Sequence, residues 1–227
     1  MPYRRSFRKR PYRRVKRSYA RRGGGGGFSL SRAWKTAKWA ANAAWKLKGL
    51  VNSEMCKVDY VQSAVNITNA GAMIDLTNIG QGDDENARHG NSIYARAVNW
   101  KGYVARTTSG DAVQVVRLVV VIDTQQVGDT APTLNNVLES ITPYAHLNTA
   151  TVGRFKILCN KLITLDIASK LSQTFEINLP MRHHIRYNGT TGGDVQRGGI
   201  YCGHLSTQGT SNYPTLNSEI RLSYHDN

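Results

Sequence analysis

No acidic residue occurs before Glu54, although 16 Lys and Arg stand in residues 1–50. Residues 51–227 hold the other 14 basic residues and all 15 acidic ones, a net of −1. A polycation is thus joined to a near-neutral body, which is long enough to bury a core as one domain. Long apolar runs are missing too. The longest aliphatic stretch, Leu118–Ile122, is far too short to span a bilayer. The charged start has no apolar segment behind it, so no secretory signal is expected. Cysteine is scarce: Cys56, Cys159 and Cys202 are odd in number and far apart. Without CxxC pairs or a Cys/His cluster, neither a disulfide framework nor a zinc site is expected, and a reducing compartment fits.

Catalytic patterns are also lacking. The sequence has no GxSxG, HExxH, Rossmann fingerprint or Walker A motif. His183 and His184 are adjacent and would point to opposite faces of a strand, so they cannot share a metal. His89, His146, His204 and His225 stand alone. The one acidic cluster, Asp83-Asp84-Glu85, lacks the spacing of a calcium loop and reads as a solvated loop or a partner for a neighbour's arginine. No enzyme activity, metal or cofactor is expected.

What is present begins with the arm, residues 1–22, where nine Arg and two Lys occur. Like charges this dense repel, and the apolar content cannot offset chain entropy, so the arm is expected to be disordered alone. A guanidinium grips phosphate oxygens bidentately. Arg4, Arg5, Arg8, Lys9, Arg10, Arg13, Arg14, Lys16, Arg17, Arg21 and Arg22 are therefore candidate phosphate ligands. Tyr3, Phe7, Tyr12 and Tyr19 are interleaved among them and suit stacking on unpaired bases. Two basic clusters, Arg8-Lys9-Arg10 and Arg13-Arg14-Val15-Lys16-Arg17, also match a nuclear localisation signal that a host import receptor would read.

A glycine hinge at 23–28 follows, with no GK[ST] to make it a phosphate loop. Residues 29–50 are rich in Ala, Trp and Lys and predict a helix. Trp34 and Trp45 fall about 20° apart around it, whereas Trp39 lies about 140° away. The helix is read as docking inside the body near nucleic acid, with a membrane-active helix and a plain spacer as the other readings.

Residues 51–227 read as an all-β domain. Val61–Thr68, Thr174–Leu179 and Glu219–His225 alternate with period two, as half-buried strands do. Val115–Ile122 is apolar on both faces around Arg117 and predicts a strand covered on both sides. Further strands are expected at 72–79, 92–105, 152–159, 161–168 and 199–207, with a hairpin turning at Cys159-Asn160-Lys161. Long connections fall at 80–91 and 124–151, the second with a short helix near Leu134–Ser140. Gly189–Gly199 reads as a mobile surface loop. Eight or nine antiparallel strands with such excursions predict a jelly-roll sandwich.

The segments Arg117-Leu-Val-Val-Val-Ile-Asp-Thr-Gln125, Ala131-Pro-Thr-Leu-Asn-Asn-Val-Leu138 and Arg154-Phe-Lys-Ile-Leu-Cys-Asn-Lys-Leu-Ile-Thr-Leu165, behind an Arg-rich arm, resemble the capsid proteins of circular, Rep-encoding single-stranded DNA viruses, the circovirus-like group. The resemblance covers residues 1–22 and 112–168. It implies a virion protein that closes as a shell of about 60 copies around circular single-stranded DNA, with assembly in the host nucleus and an unknown host attachment factor. Sixty copies of residues 1–50, with 16 cations each, would carry on the order of 1,000 positive charges and suit a genome of roughly one to two kilobases. Plant satellite virus capsids, which package RNA, share this plan, so a small single-stranded RNA virus is the alternative. A monomeric basic nucleic-acid-binding module is a third reading, and it predicts a basic face on the body.

Overall fold

The computed structural model describes residues 30–51, 55–126, 130–209 and 211–226. The chain divides into two compact units, residues 1–45 and residues 46–227. The arm and the glycine hinge lie outside the described residues. The alanine-rich stretch forms helix α1 (Leu30–Val51). Its six alanines and its lysines lose little side-chain freedom in a helix. Trp34 and Trp39 are both well exposed, and Lys38 Nζ lies 5.7 Å from the Trp34 ring centre.

The body is two antiparallel sheets. One has the order β1 (Met55–Asn66), β9 (Thr215–Asp226), β3 (Ser92–Ala105), β6 (Ser172–Tyr187), β7 (Val195–Arg197). The other runs β2 (Ala72–Asp75), β8 (Gly199–Ser206), β4 (Val113–Asp123), β5 (Phe155–Asp166). The pairs β4/β5, β3/β6, β2/β8 and β1/β9 are nested in sequence, each enclosing the one before it. That winding is a jelly roll, and it agrees with the expected fold class.

The main core lies between the sheets. Trp100 sits at its centre, its ring edge-on to Phe175 at 5.4 Å and its indole N–H donating to Ser218 Oγ at 3.0 Å. β4 is buried on both faces, as its apolar run requires. Val116, Leu118, Val120 and Ile122 face the main core. Val119 and Val121 face a second cluster with Leu134, Val137, Leu138, Phe155, Tyr201 and Leu205. The long connection after β4, with helix α2 (Leu134–Val137), therefore lies across the outside of the four-stranded sheet.

Two expectations fail here. No hairpin turns at Cys159-Asn160-Lys161: residues 155–166 are one strand, paired with β4 from Asp123↔Phe155 to Val113↔Asp166. The polar Asn160 is a strand residue because it answers Arg117 across the pair, and a single irregularity at Leu158 absorbs the break in pattern. Nor is Gly189–Gly199 only a loop. It holds β7, which extends the five-stranded sheet beyond β6. Gly198, at φ +84°, turns the chain from that sheet into β8 of the other.

Candidate functional site

Every arm candidate, from Tyr3 to Arg22, lies outside the described residues, so the structure brings none of them together. What the structure builds is the surface and scaffold of the body.

The solvent face of the five-stranded sheet carries a ladder of charges. Asp59, Arg221 and Asn99 are cross-strand neighbours, as are Glu219, Lys101 and Glu176. Arg221 grips Asp59 with two hydrogen bonds of 2.6 Å, and Lys101 lies 3.0 Å from Glu176. The guanidinium of Arg221 beside Asp59 holds that carboxyl below its usual range. Asn99, Lys101, Glu176, Asn178, Glu219 and Arg221 line a shallow depression in which two acids answer two bases. Matched charges leave no general base or nucleophile poised there.

Three buried or half-buried arginines tie the long connections to the sandwich. Arg88 is fully buried without a carboxylate. Its Nε donates to Ile79 O at 2.9 Å, Nη1 to Gly90 O at 2.6 Å and Nη2 to Gly189 O at 2.5 Å, while its plane lies 3.9 Å from the Tyr187 ring centre. One side chain thereby fixes the 80–91 connection and the loop before β7. Arg117 donates to Asn160 Oδ1 and to the carbonyls of Pro143 and Ala145, and burial pulls its pKa down. Arg154 clamps the fully buried Asp123 bidentately at 2.8 and 2.5 Å, and that bond raises the guanidinium's pKa. The sequence gives no signal for Arg88, because buried carbonyls have no sequence signature.

The histidines and cysteines are spread over several strands and loops. His183 is half-buried with Nε2 3.0 Å from Gly198 O, and His184 is exposed on the opposite face. Asp83 and Asp226 flank His89, at 3.9 and 2.7 Å. No group of three or more His, Cys, Asp or Glu suited to a metal ion occurs among the described residues. Cys56, Cys159 and Cys202 form no disulfide with one another, and burial pushes the thiols of Cys159 and Cys202 up. No described helix is long and apolar enough to cross a membrane.

The family described as satellite tobacco necrosis virus coat protein matches residues 35–226, which include all nine strands. The chain belongs to that family. It is a viral capsid protein, a structural subunit and not an enzyme, and its place is the virion, in a shell built from copies of itself. Among solved structures it is similar to Desmodium yellow mottle tymovirus, with 8% identity, a TM-score of 0.36, and 76% of this chain and 86% of that chain covered. It is also similar to turnip yellow mosaic virus, with 10% identity, a TM-score of 0.33, and coverage of 76% and 93%. No curated protein matches.

The coat-protein family match overturns the resemblance to circular single-stranded DNA viruses. The residues that carried it have a structural explanation. The run from Arg117 is a strand buried on both faces, Ala131–Leu138 is the connection packed over it, and Arg154–Leu165 is its edge neighbour. They are the core of a jelly roll and carry no information about the genome.

Proposed function

We propose that the protein packages single-stranded RNA in a closed shell of about 60 copies, using the arm as its phosphate ligand. The observation that carries this reading is the separation of charge: 16 cations and no acid in residues 1–50, against a net of −1 in the remainder, within a coat protein of the satellite virus family. A near-neutral body packs against copies of itself without repulsion. The arms repel one another unless a polyanion neutralises them. Phosphate contacts carry no base information, so packaging is sequence-poor and weakened by salt. In this reading Arg4, Arg5, Arg8, Lys9, Arg10, Arg13, Arg14, Lys16, Arg17, Arg21 and Arg22 neutralise phosphate, and Tyr3, Phe7, Tyr12 and Tyr19 stack on bases. RNA is favoured over DNA by the family match, because plant satellite virus capsids package RNA. The basic clusters match an import signal by composition alone, and assembly in the host nucleus, which the DNA-virus resemblance implied, loses its support with that resemblance.

The test is to express the full chain, isolate particles, and digest the extracted nucleic acid with RNase and with DNase. RNase-sensitive contents are expected, and deletion of residues 1–22 is expected to leave folded protein that packages little. DNase-sensitive, RNase-resistant contents would overturn the choice of RNA. Undiminished packaging by the deleted chain would overturn the role of the arm.

A further inference from the structure

The net charge of the body conceals an asymmetry on one sheet face. On the half holding Asp59, Glu219 and Glu176, charges are matched. On the other half they are not. Arg182, His184 and Arg186 occupy alternate, exposed positions along β6. Arg197 of β7 stands directly across from Arg186. Like charges directly opposite one another destabilise a strand pair, so the pairing calls for an anion between them. With Thr124, Gln125 and Gln196 the two arginines line a depression of about 480 Å³, which offers guanidinium, amide and hydroxyl groups together. The nearby acid, Asp123, is already taken by Arg154. Among the described residues, Arg96, Arg182, Arg186 and Arg197 enter no ion pair. The half-buried His183 reports the same field. Burial lowers its pKa first, and Lys156, His184 and Arg197 lower it further, against the hydrogen bond that Gly198 O accepts from its ring, which raises it.

Two more features select the anion. Tyr94 lies within this half, edge-on to His184 at 6.3 Å and with the Arg96 guanidinium 5.9 Å from its ring centre. A ring among guanidiniums is the composition that takes single-stranded nucleic acid. The chain also enters β1 at this end. Met55 pairs with His225, His225 with Tyr94, and Tyr94 with His184, so β1 begins on the same cross-strand row.

We infer that Arg186 and Arg197, with Arg182 and His184 beside them, form a second phosphate-binding surface for the packaged strand, so that this half of the five-stranded sheet faces the genome. The inference rests on the packaging function proposed above. The competing occupant is the exposed Asp83–Glu85 loop of a second copy. That loop flanks β1 at the opposite edge of the sheet, about 19 Å away at four strand spacings, and two copies side by side would bring it to β7.

The experiment compares the full-length parent, R186A/R197A and R186K/R197K. Ultraviolet cross-linking of parent particles, read by mass spectrometry, is expected to join RNA to peptides spanning residues 182–197 or containing Tyr94, as well as to the arm. The alanine pair is expected to assemble but to carry less RNA per particle. Its affinity for a short single-stranded oligonucleotide should depend less on salt, with a log–log slope shallower by about 1.4 for two lost contacts, and the lysine pair should restore that slope. Cross-links confined to the arm, with unchanged packaging by the alanine pair, would overturn the inference and leave the arm reading standing. An alanine pair that binds RNA as the parent does but no longer assembles would assign the surface to the second copy. Parent particles free of nucleic acid would overturn the packaging function itself. If the alanine pair does not fold, the cross-link map of the parent decides.

Discussion

Arg117 donates from Nε to Oδ1 of Asn160, 2.9 Å away on the neighbouring strand. Arg117 is the one polar residue in the run Val115–Ile122 of β4. It is needed because the same guanidinium reaches the carbonyls of Pro143 and Ala145 and so holds the long connection against the sheet. Replacing Asn160 by Leu leaves a buried N–H without its acceptor, which costs about 1–3 kcal/mol. A lower urea midpoint is expected for Asn160→Leu. For Arg117→Ala we expect in addition faster proteolysis near Tyr144, because the carbonyls lose their donor.

Asp123 and Arg154 form the one ion pair with a fully buried member among the described residues. Removing one partner of a buried pair strands the other, at about 3–5 kcal/mol. Asp123→Asn should therefore lower the melting temperature strongly. The double variant D123L/R154L should recover much of that loss, because no charge is left unmatched. A double variant no better than the single one would show that Asp123 acts through the hydrogen bond it accepts from the Gln125 N–H, 3.1 Å away.

His204 is buried on β8, and neither ring nitrogen has a hydrogen-bond partner among the described residues. Burial pushes its pKa down to about 4, from 6.5. The unfolded chain thus takes up this proton more readily than the folded one. Its effect on stability is absent above about pH 6.5, and stability is lost as the pH falls from there towards 4, by on the order of 3 kcal/mol in full. Asp75, whose pKa is raised by burial, acts with the opposite sign: it stabilises the folded state in acid and that contribution is lost as the pH rises. Thermal melts from pH 7 to pH 4 should fall less steeply for His204→Leu than for the parent. Parallel curves would exclude His204 as the cause.

Gly198 has φ +84°, and a Cβ there would lie 2.6 Å from His183 Nε2 and 2.7 Å from His184 O. Gly198→Ala must strain the backbone and push aside β6, at about 1–3 kcal/mol. The expected outcome is a less stable body, measured by urea unfolding, with β7 the first segment to exchange its amide hydrogens.

Much of the sandwich was legible because alternation is a local property. Val61–Thr68, Thr174–Leu179 and Glu219–His225 write their wet and dry faces directly into the sequence, and the doubly apolar run at Val115–Ile122 requires cover on both sides. The misread hairpin shows the limit. Asn160 in a polar triplet looks like a turn residue unless Arg117, 43 positions earlier, is known to lie beside it. Arg88 shows the same limit, since nothing near it in sequence states that the carbonyls of Ile79, Gly90 and Gly189 would converge on it.

That a polycationic arm precedes a near-neutral β body follows from the chain alone, because charge and alternation are sums and periods that need no third dimension. Which strands are neighbours, that Arg186 and Arg197 face each other, and that Arg117, Arg88 and Asp123 have partners follow from the fold. Those facts depend on register between segments far apart in the chain, and register is fixed by packing across the whole sandwich.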